Sequence, residues 1–293
     1  MSATAITLIL IAAVAHASWN LFSKQAAQTG AISFIWLAAT AGTCAYIPVI
    51  AVAWAGGWLH LTALGWVFMA GTGVLESAYF VFLQSGYRLG DLSLVYPVGR
   101  GTGALLAAVA GIAFLGERPG PVAIGGIIAV VAGIALIGAP ASAGPLPGAQ
   151  KRAAGKAIGF AVATGVFIAS YTLWDRYAVA TLGTSALLQG YATFPFMAVV
   201  FALPALRAKD RTALVWHRYR AQVAGAAVLM PLAYILVLAA LAFTAVSVVA
   251  PAREVSVLFG VLMGGRLLGE GSVARRLTAA VAIAGGIIAI AVG

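Results

Sequence analysis

Four charged side chains stand inside long apolar runs of this sequence: Glu76, Arg100, Arg253 and Glu254. A charge near the bilayer centre costs about 2.5–3.5 kcal/mol even on the mildest insertion scale, so each must face a partner or water. Two arginines against two glutamates suit a zwitterion, because a guanidinium fork holds a carboxylate while a glutamate holds an amine. The structural alternative is that the four pair with one another and simply tie two parts of the chain together. Glu76 has a second candidate role as a proton-coupling site, since burial disfavours the charged carboxylate and makes its protonation responsive to the two compartments. His16 is its rival, because an imidazole titrates near neutrality without help.

Polar and aromatic residues accompany these charges. Positions i, i+3, i+4 and i+7 share a helix face, so His16, Trp19, Asn20 and Ser23 form one stripe, echoed by Ser170, Tyr171 and Trp174. Trp19 and Tyr171 are read as walls of a substrate cavity, with His16 and Asn20 beside them; anchoring at the membrane interface is the other reading of Trp19 and Trp174. Tyr79, Tyr96 and Tyr234 fall within apolar runs, and a buried tyrosine hydroxyl needs a partner, which makes them further substrate-binding candidates. Pro97 and Pro251 each lie a few residues into such a run, where the missing N–H and the ring can break a helix beside a binding site. A tolerated place in the first turn is the alternative. The glycines at 99, 101 and 103 and the pairs Gly125-Gly126 and Gly285-Gly286 follow no strand and lack a P-loop lysine, so they read as close helix packing.

Other chemistry finds little support. His16, His60 and His217 are scattered, no metal-ligand spacing or nucleophile motif occurs, and Cys44 is alone. Neither a catalytic residue, nor a metal, nor a cofactor is expected. A lipid-modifying intramembrane enzyme is the least favoured function.

The elements that must position the charged residues are membrane spans. With 63% hydrophobic and 8% charged residues the chain is an all-α polytopic membrane protein, far from the soluble range in which about a quarter of residues are charged. Runs near the 20 residues that a crossing needs occur at about 3–23, 32–54, 63–86, 93–115, 121–139, 156–176, 184–205, 222–243, 247–268 and 274–292. Ala15-His16-Ala17 resembles a signal-cleavage site, but no Lys or Arg precedes the first run, so that run is read as part of the fold.

The chain is also duplicated. Ser18-Trp19-Asn20-Leu21-Phe22-Ser23-Lys24 is answered by Ser170-Tyr171-Thr172-Leu173-Trp174-Asp175-Arg176, Ser93-Leu94-Val95-Tyr96-Pro97 by Ser247-Val248-Val249-Ala250-Pro251, and Leu115-Gly116-Glu117 by Leu268-Gly269-Glu270, at offsets of 152, 154 and 153. The expected organisation is a first five-helix repeat over 1–140, a linker over 141–155 and a second repeat over 156–293. Five crossings per copy give ten transmembrane helices as two inverted repeats, the plan of many secondary transporters. Glu117 and Glu270 are taken as repeat markers that support gating contacts.

The net charge of +10 is a topology signal before it is a binding signal. Connections after odd-numbered spans carry Lys24, Arg88, Lys151, Arg152, Lys156, Arg207, Lys209, Arg211, Arg218, Arg220, Arg266, Arg275 and Arg276, against Arg118 and Arg176 after even ones. The positive-inside rule then puts the odd connections in the cytoplasm and both termini outside. Nucleic acid is not an expected partner; the bilayer and a small-molecule substrate are. A monomer suffices for a duplicated chain, and a dimer stays possible.

These features resemble the EamA branch of the drug/metabolite transporter superfamily. The likeness rests on His16-Ala17-Ser18-Trp19-Asn20, Gly90-Asp91-Leu92-Ser93-Leu94-Val95-Tyr96-Pro97, Leu115-Gly116-Glu117, Pro251-Ala252-Arg253-Glu254-Val255-Ser256 and Leu268-Gly269-Glu270, and spans the whole chain. It implies two inverted five-helix bundles around a central cavity in a bacterial cytoplasmic membrane. It also implies metabolite movement, commonly export of amino acids or related compounds, and usually has both termini in the cytoplasm, opposite to the charge count. The expected function is therefore an alternating-access exporter of amino acids or similar small zwitterions, driven by proton exchange or by the solute gradient. A carrier of hydrophobic or lipid-linked compounds is the alternative.

Overall fold

A computed structural model describes residues 1–89, 92–138, 148–256 and 273–293, and every regular element among them is a helix. In chain order these are α1 (Ala3–Ala55), α2 (Ala63–Leu89), α3 (Leu92–Phe114), α4 (Pro121–Gly138), α5 (Gly148–Ala180), α6 (Ala186–Val200), α7 (Ala202–Arg207), α8 (Lys209–Leu241), α9 (Val246–Ala252) and α10 (Val273–Val292). Five stretches are long and apolar enough to cross a bilayer: Ala3–Ser23, Thr29–Ala55, Ala63–Gly86, Ala154–Ala180 and Lys209–Leu241. Shorter apolar helices cover Val98–Phe114, Pro121–Leu136, Ala186–Val200 and Val281–Val292. Together they fall on all the expected spans except 247–268, which begins with α9 and then leaves the described residues. Large apolar side chains such as Trp54, Trp58, Trp66, Phe114 and Val199 point outward, as a lipid-facing surface requires. The chain is an all-α polytopic membrane protein.

Three boundaries differ from expectation for local reasons. No loop separates the first two spans: α1 continues through Gln25 to Gln28, which are good helix formers, and its geometry departs from helical only at Gly30, where the backbone is extended. α5 reaches back to Gly148, inside the expected 141–155 linker, because Gln150 to Ala154 also favour helix. The expected seventh span is divided at Phe201 into α6 and α7. In α8 the backbone at Tyr219 is non-helical, setting the basic segment from Lys209 to Arg218 apart from the apolar remainder.

The chain forms two compact units that do not follow its sequence halves. Unit 1 comprises Met1–Ile6, Leu75–Leu173 and Thr244–Gly293; unit 2 comprises Thr7–Val74 and Trp174–Phe243. Each therefore draws on both halves of the sequence.

In unit 1, α4 packs along α10 and α3 packs against both α4 and α9. Lipid is as apolar as a leucine side chain, so helices here associate through close packing and not through exclusion of water. The closest approach is at glycine: a Cβ on Gly126 would lie 2.5 Å from the Gly286 carbonyl oxygen, and one on Gly133 would lie 3.0 Å from that of Ala279. Shifted by the repeat offset of 153, Gly126 and Gly133 become Ala279 and Gly286, so the two contacts are images of each other. Gly133 against Ile283 and Gly286 against Val130 repeat the relation. α4 and α10 thus meet about a local two-fold, around a core of Ala108, Ile127, Val130, Ile134, Ile283 and Ile290.

Unit 2 is held by small residues and by side chains bonding to backbone carbonyls. Gly42 lies against the Ala227 carbonyl and Gly225 against Phe22. The Trp36 indole donates to Ala198 O at 3.0 Å and the Tyr46 hydroxyl to Val228 O at 2.9 Å, tying α1 to α6 and α8.

Candidate functional site

The site in unit 1 is built where α9 stops. Pro251 has no N–H to offer the carbonyl one turn earlier, and the last i→i−4 bond runs from Arg253 N–H to Val249 O at 3.0 Å. The next bonds are shorter-range: Glu254 N–H donates to Pro251 O at 3.0 Å and Ser256 N–H to Arg253 O at 3.2 Å. This turn presents Arg253 and Glu254. The corresponding break at Pro97 is absent, for α3 runs unbroken from Leu92 to Phe114. Glu117 positions the start of α9, its two oxygens accepting the Val246 and Ser247 N–H groups at 2.8 Å each. A carboxylate on free N–H groups at a helix start is doubly stabilised, by hydrogen bonding and by the helix dipole. Glu117 is therefore a cap; Glu270 lies outside the described residues.

Arg100, on α3, reaches this turn. Its Nε donates to Glu254 Oε2 at 2.8 Å, and the two side chains are almost wholly buried. Arg253 stands beside the other oxygen of the same carboxylate, Nε to Oε1 at 3.4 Å, without hydrogen-bond geometry. Among the described residues, Arg253 Nε and Nη2 and Glu254 Oε1 have no hydrogen-bond partner although all are buried. One carboxylate thus serves two guanidiniums and satisfies one. Leaving a buried charged donor unmet costs roughly 1–3 kcal/mol or more, so the arrangement calls for a ligand or water.

Aromatic rings complete the cluster. The Arg253 guanidinium lies 5.9 Å from the centre of the Tyr171 ring, within cation–π range. Tyr171 meets Tyr79 edge to face at 6.1 Å, and Tyr79 meets Phe80 at 5.0 Å. Glu76, half-buried on α2, lies with Arg100, Arg253 and Glu254 in electrostatic reach of Tyr171, and Tyr96 is in reach of Arg100 and Glu254. Glu76, Tyr79, Tyr96, Arg100, Tyr171, Arg253 and Glu254 are thus brought together.

The remaining expected residues fall in unit 2. His16, Trp19 and Asn20 satisfy one another along one face of α1: Trp19 Nε1 donates to His16 Nδ1 at 3.3 Å and Asn20 Nδ2 to His16 O at 2.7 Å. Trp19 and Tyr171, at matching repeat positions, belong to different units. Tyr234 also parts from Tyr79, its hydroxyl bonding to Asp175 Oδ2.

That contact belongs to a cluster that the sequence reading passed over. Asp175 on α5 is fully buried, as are Thr72 on α2 and Gln189 on α6. Thr72 Oγ1 contacts Asp175 Oδ1, while Gln189 Nε2 lies 2.9 Å from that oxygen and 2.8 Å from Thr72 Oγ1. The glycines on either side of Thr72 allow this closeness: a Cβ on Gly71 would strike Trp174 at 2.6 Å and one on Gly73 would strike Phe196 at 2.3 Å. Trp174 stacks on Phe68 at 4.1 Å and donates to its carbonyl at 2.8 Å, so here it is an internal packing residue. Asp175 was visible only as the end of the Ser170–Arg176 motif. The signal available was a carboxylate one helical position from an aromatic inside an apolar run.

Comparison with known proteins places these sites in context. Residues 3–139 match the family described as "EamA-like transporter family". No curated protein matches the chain. A solved structure described only as "Crystal structure of protein" shares 18% identity with it at a TM-score of 0.70, covering 99% of this chain and 96% of that one, a likeness of fold.

Proposed function

We propose that this chain, whose residues 3–139 match the EamA-like transporter family of the drug/metabolite transporter superfamily, carries out alternating-access export of amino acids or similar small zwitterions across a bacterial cytoplasmic membrane, driven by proton exchange. The observation that carries this reading is the buried Arg253 guanidinium, with two nitrogens unpartnered among the described residues, against the Tyr171 ring. A cargo carboxylate accepts from those nitrogens in the forked geometry that guanidinium favours. The Arg100–Glu254 pair, at 2.8 Å, fixes the turn that holds Arg253. Glu76 takes the cargo amine, and Tyr79, Tyr96 and Tyr171 form the wall. A residue that binds by charge inside a low-dielectric site gains strength from exclusion of water, which also keeps Arg253 from binding chloride or carboxylates indiscriminately at the surface.

This reading assigns transport and no enzymatic step. The two inverted five-helix repeats, over 1–140 and 156–293, are the proposed alternating elements, and the local two-fold of α4 and α10 supports them. Both termini outside, with the basic Arg207–Arg220 stretch in the cytoplasm, is the proposed orientation. Cysteine labelling at position 2 and within that stretch tests it; a position-2 label blocked from outside reverses the assignment.

The function is tested with proteoliposomes loaded with a mixed metabolite pool, with and without an imposed pH gradient, and effluent read by mass spectrometry. Selective, gradient-accelerated exit of amino acids is expected. Exit of hydrophobic or lipid-linked compounds instead, or none above empty vesicles, overturns it.

A further inference from the structure

The Asp175 cluster poses a proton-counting problem. Thr72 Oγ1 has one hydrogen, yet two acceptors face it: the Phe68 carbonyl oxygen at 2.9 Å and Asp175 Oδ1. It accepts from Gln189 Nε2 at 2.8 Å. If the threonine hydrogen goes to Phe68 O, its contact with Asp175 needs a hydrogen from the carboxyl itself. If the hydrogen turns to Asp175, the carboxylate is satisfied as an anion, and Phe68 O still keeps the Trp174 indole donor at 2.8 Å. The same heavy-atom arrangement therefore accommodates two states that differ by one proton. Tyr234 donates to Oδ2 in both.

We propose that Asp175 is a proton-binding site, switching between these two hydrogen-bonding states as the protein cycles, with Tyr234 as the route by which the proton arrives and leaves. Asp175, Thr72 and Gln189 are fully buried, whereas Tyr234 is half-buried and is the member of the cluster that reaches outward. On loading, Tyr234 passes its hydrogen to Oδ2 and takes one from water, the carboxyl turns about Cβ–Cγ to bring its protonated oxygen to Thr72, and the Thr72 hydroxyl rotates from Asp175 to Phe68 O. On release it rotates back. Asp175 is contacted by Thr72 from α2 and Gln189 from α6, which do not titrate, and by Tyr234 from α8, which does; Arg176 follows on α5 with its buried Nε lacking a hydrogen-bond partner among the described residues. An intramembrane carboxylate in such a setting is a recurrent proton carrier.

The coupling role rests on the transport reading; the proton site does not. Infrared difference spectra of the reconstituted protein across a pH series are expected to show a protonated-carboxyl stretch that is lost in Asp175→Asn and shifted in Thr72→Val and Tyr234→Phe. Across one pH unit, a proton moved with each cargo molecule sustains about a tenfold cargo ratio. Asp175→Asn is expected to bring that ratio to one while cargo-for-cargo exchange continues, because the neutral amide imitates the loaded state. A spectrum unchanged by Asp175→Asn overturns the proton site. A tenfold ratio retained by Asp175→Asn overturns coupling at Asp175. A wild-type protein that shows the band but moves no cargo refutes transport and leaves the proton site standing. Should Asp175→Asn fail to fold, the Thr72→Val and Tyr234→Phe shifts decide, and their absence overturns the proposal.

Discussion

Unit 1 and unit 2 each bury a carboxylate completely, and they do so by opposite means. Glu254 is surrounded by guanidinium, with Arg100 at 2.8 Å and Arg253 at 3.4 Å. Asp175 is contacted by hydroxyl and amide groups from Thr72, Tyr234 and Gln189. The first environment sets opposite charge against the carboxylate. The second leaves the charge open, because neutral donors can rotate to serve either state. A buried acid that holds a scaffold and a buried acid that carries a proton are told apart by their partners and not by their depth.

The sharpest way to break this contrast is to neutralise each acid in turn. Glu254→Gln removes the carboxylate that lies against two buried guanidiniums and is expected to destabilise the protein by about 3–5 kcal/mol, read as a fall in the unfolding midpoint in detergent. Asp175→Asn is expected to cost about 1 kcal/mol or less, since the amide makes much the same hydrogen bonds as the protonated acid. Equal losses would remove the distinction. Between these lies a packing control in unit 1. Gly126→Val drives a side chain into the Gly286 carbonyl, 2.5 Å from where its Cβ must stand, and is expected to cost about 1–3 kcal/mol without altering either acid's environment.

Smaller effects sharpen the contrast. Tyr234→Phe removes one donor from Asp175 and is expected to cost about 0.5–1.5 kcal/mol in the same unfolding measurement. It is also expected to slow gradient-driven transport more than exchange, as a lost proton route should. If both rates fall together, Tyr234 is a packing residue.

The same contrast explains what was legible in the sequence. Charge in an apolar run is conspicuous, so Arg100, Arg253, Glu254 and Glu76 were readable at once, and the spans followed from composition and length. The pairing of Arg100 with Glu254 was legible as one of two alternatives. What a linear reading could not supply was the stoichiometry, one carboxylate for two guanidiniums, which depends on the turn after Pro251. Asp175 escaped because Thr72 and Gln189 are weakly polar signals far apart in the chain, and only the packing of α2, α5 and α6 brings them together. Tyr79 and Tyr234 looked equivalent by repeat position, yet one joined the ionic cluster and the other the neutral one. Pro97 and Pro251 likewise occupy matching places, but only after Pro251 does the helix stop. The matching motifs of the two sequence halves thus end in different surroundings where side chains meet.

The claim on which the account turns is that Arg253 receives a carboxylate. It is tested by competition in proteoliposomes: an amino acid that the wild-type protein transports is challenged with a second amino acid and with that competitor's methyl ester, in wild type and in Arg253→Ala at matched abundance. The account predicts that the acid competes with wild-type transport at least about tenfold better than the ester, the difference of a charged hydrogen bond, and that Arg253→Ala erases this preference along with most of the flux. Equal competition by acid and ester in the wild-type protein, or an acid preference that survives Arg253→Ala, would contradict it.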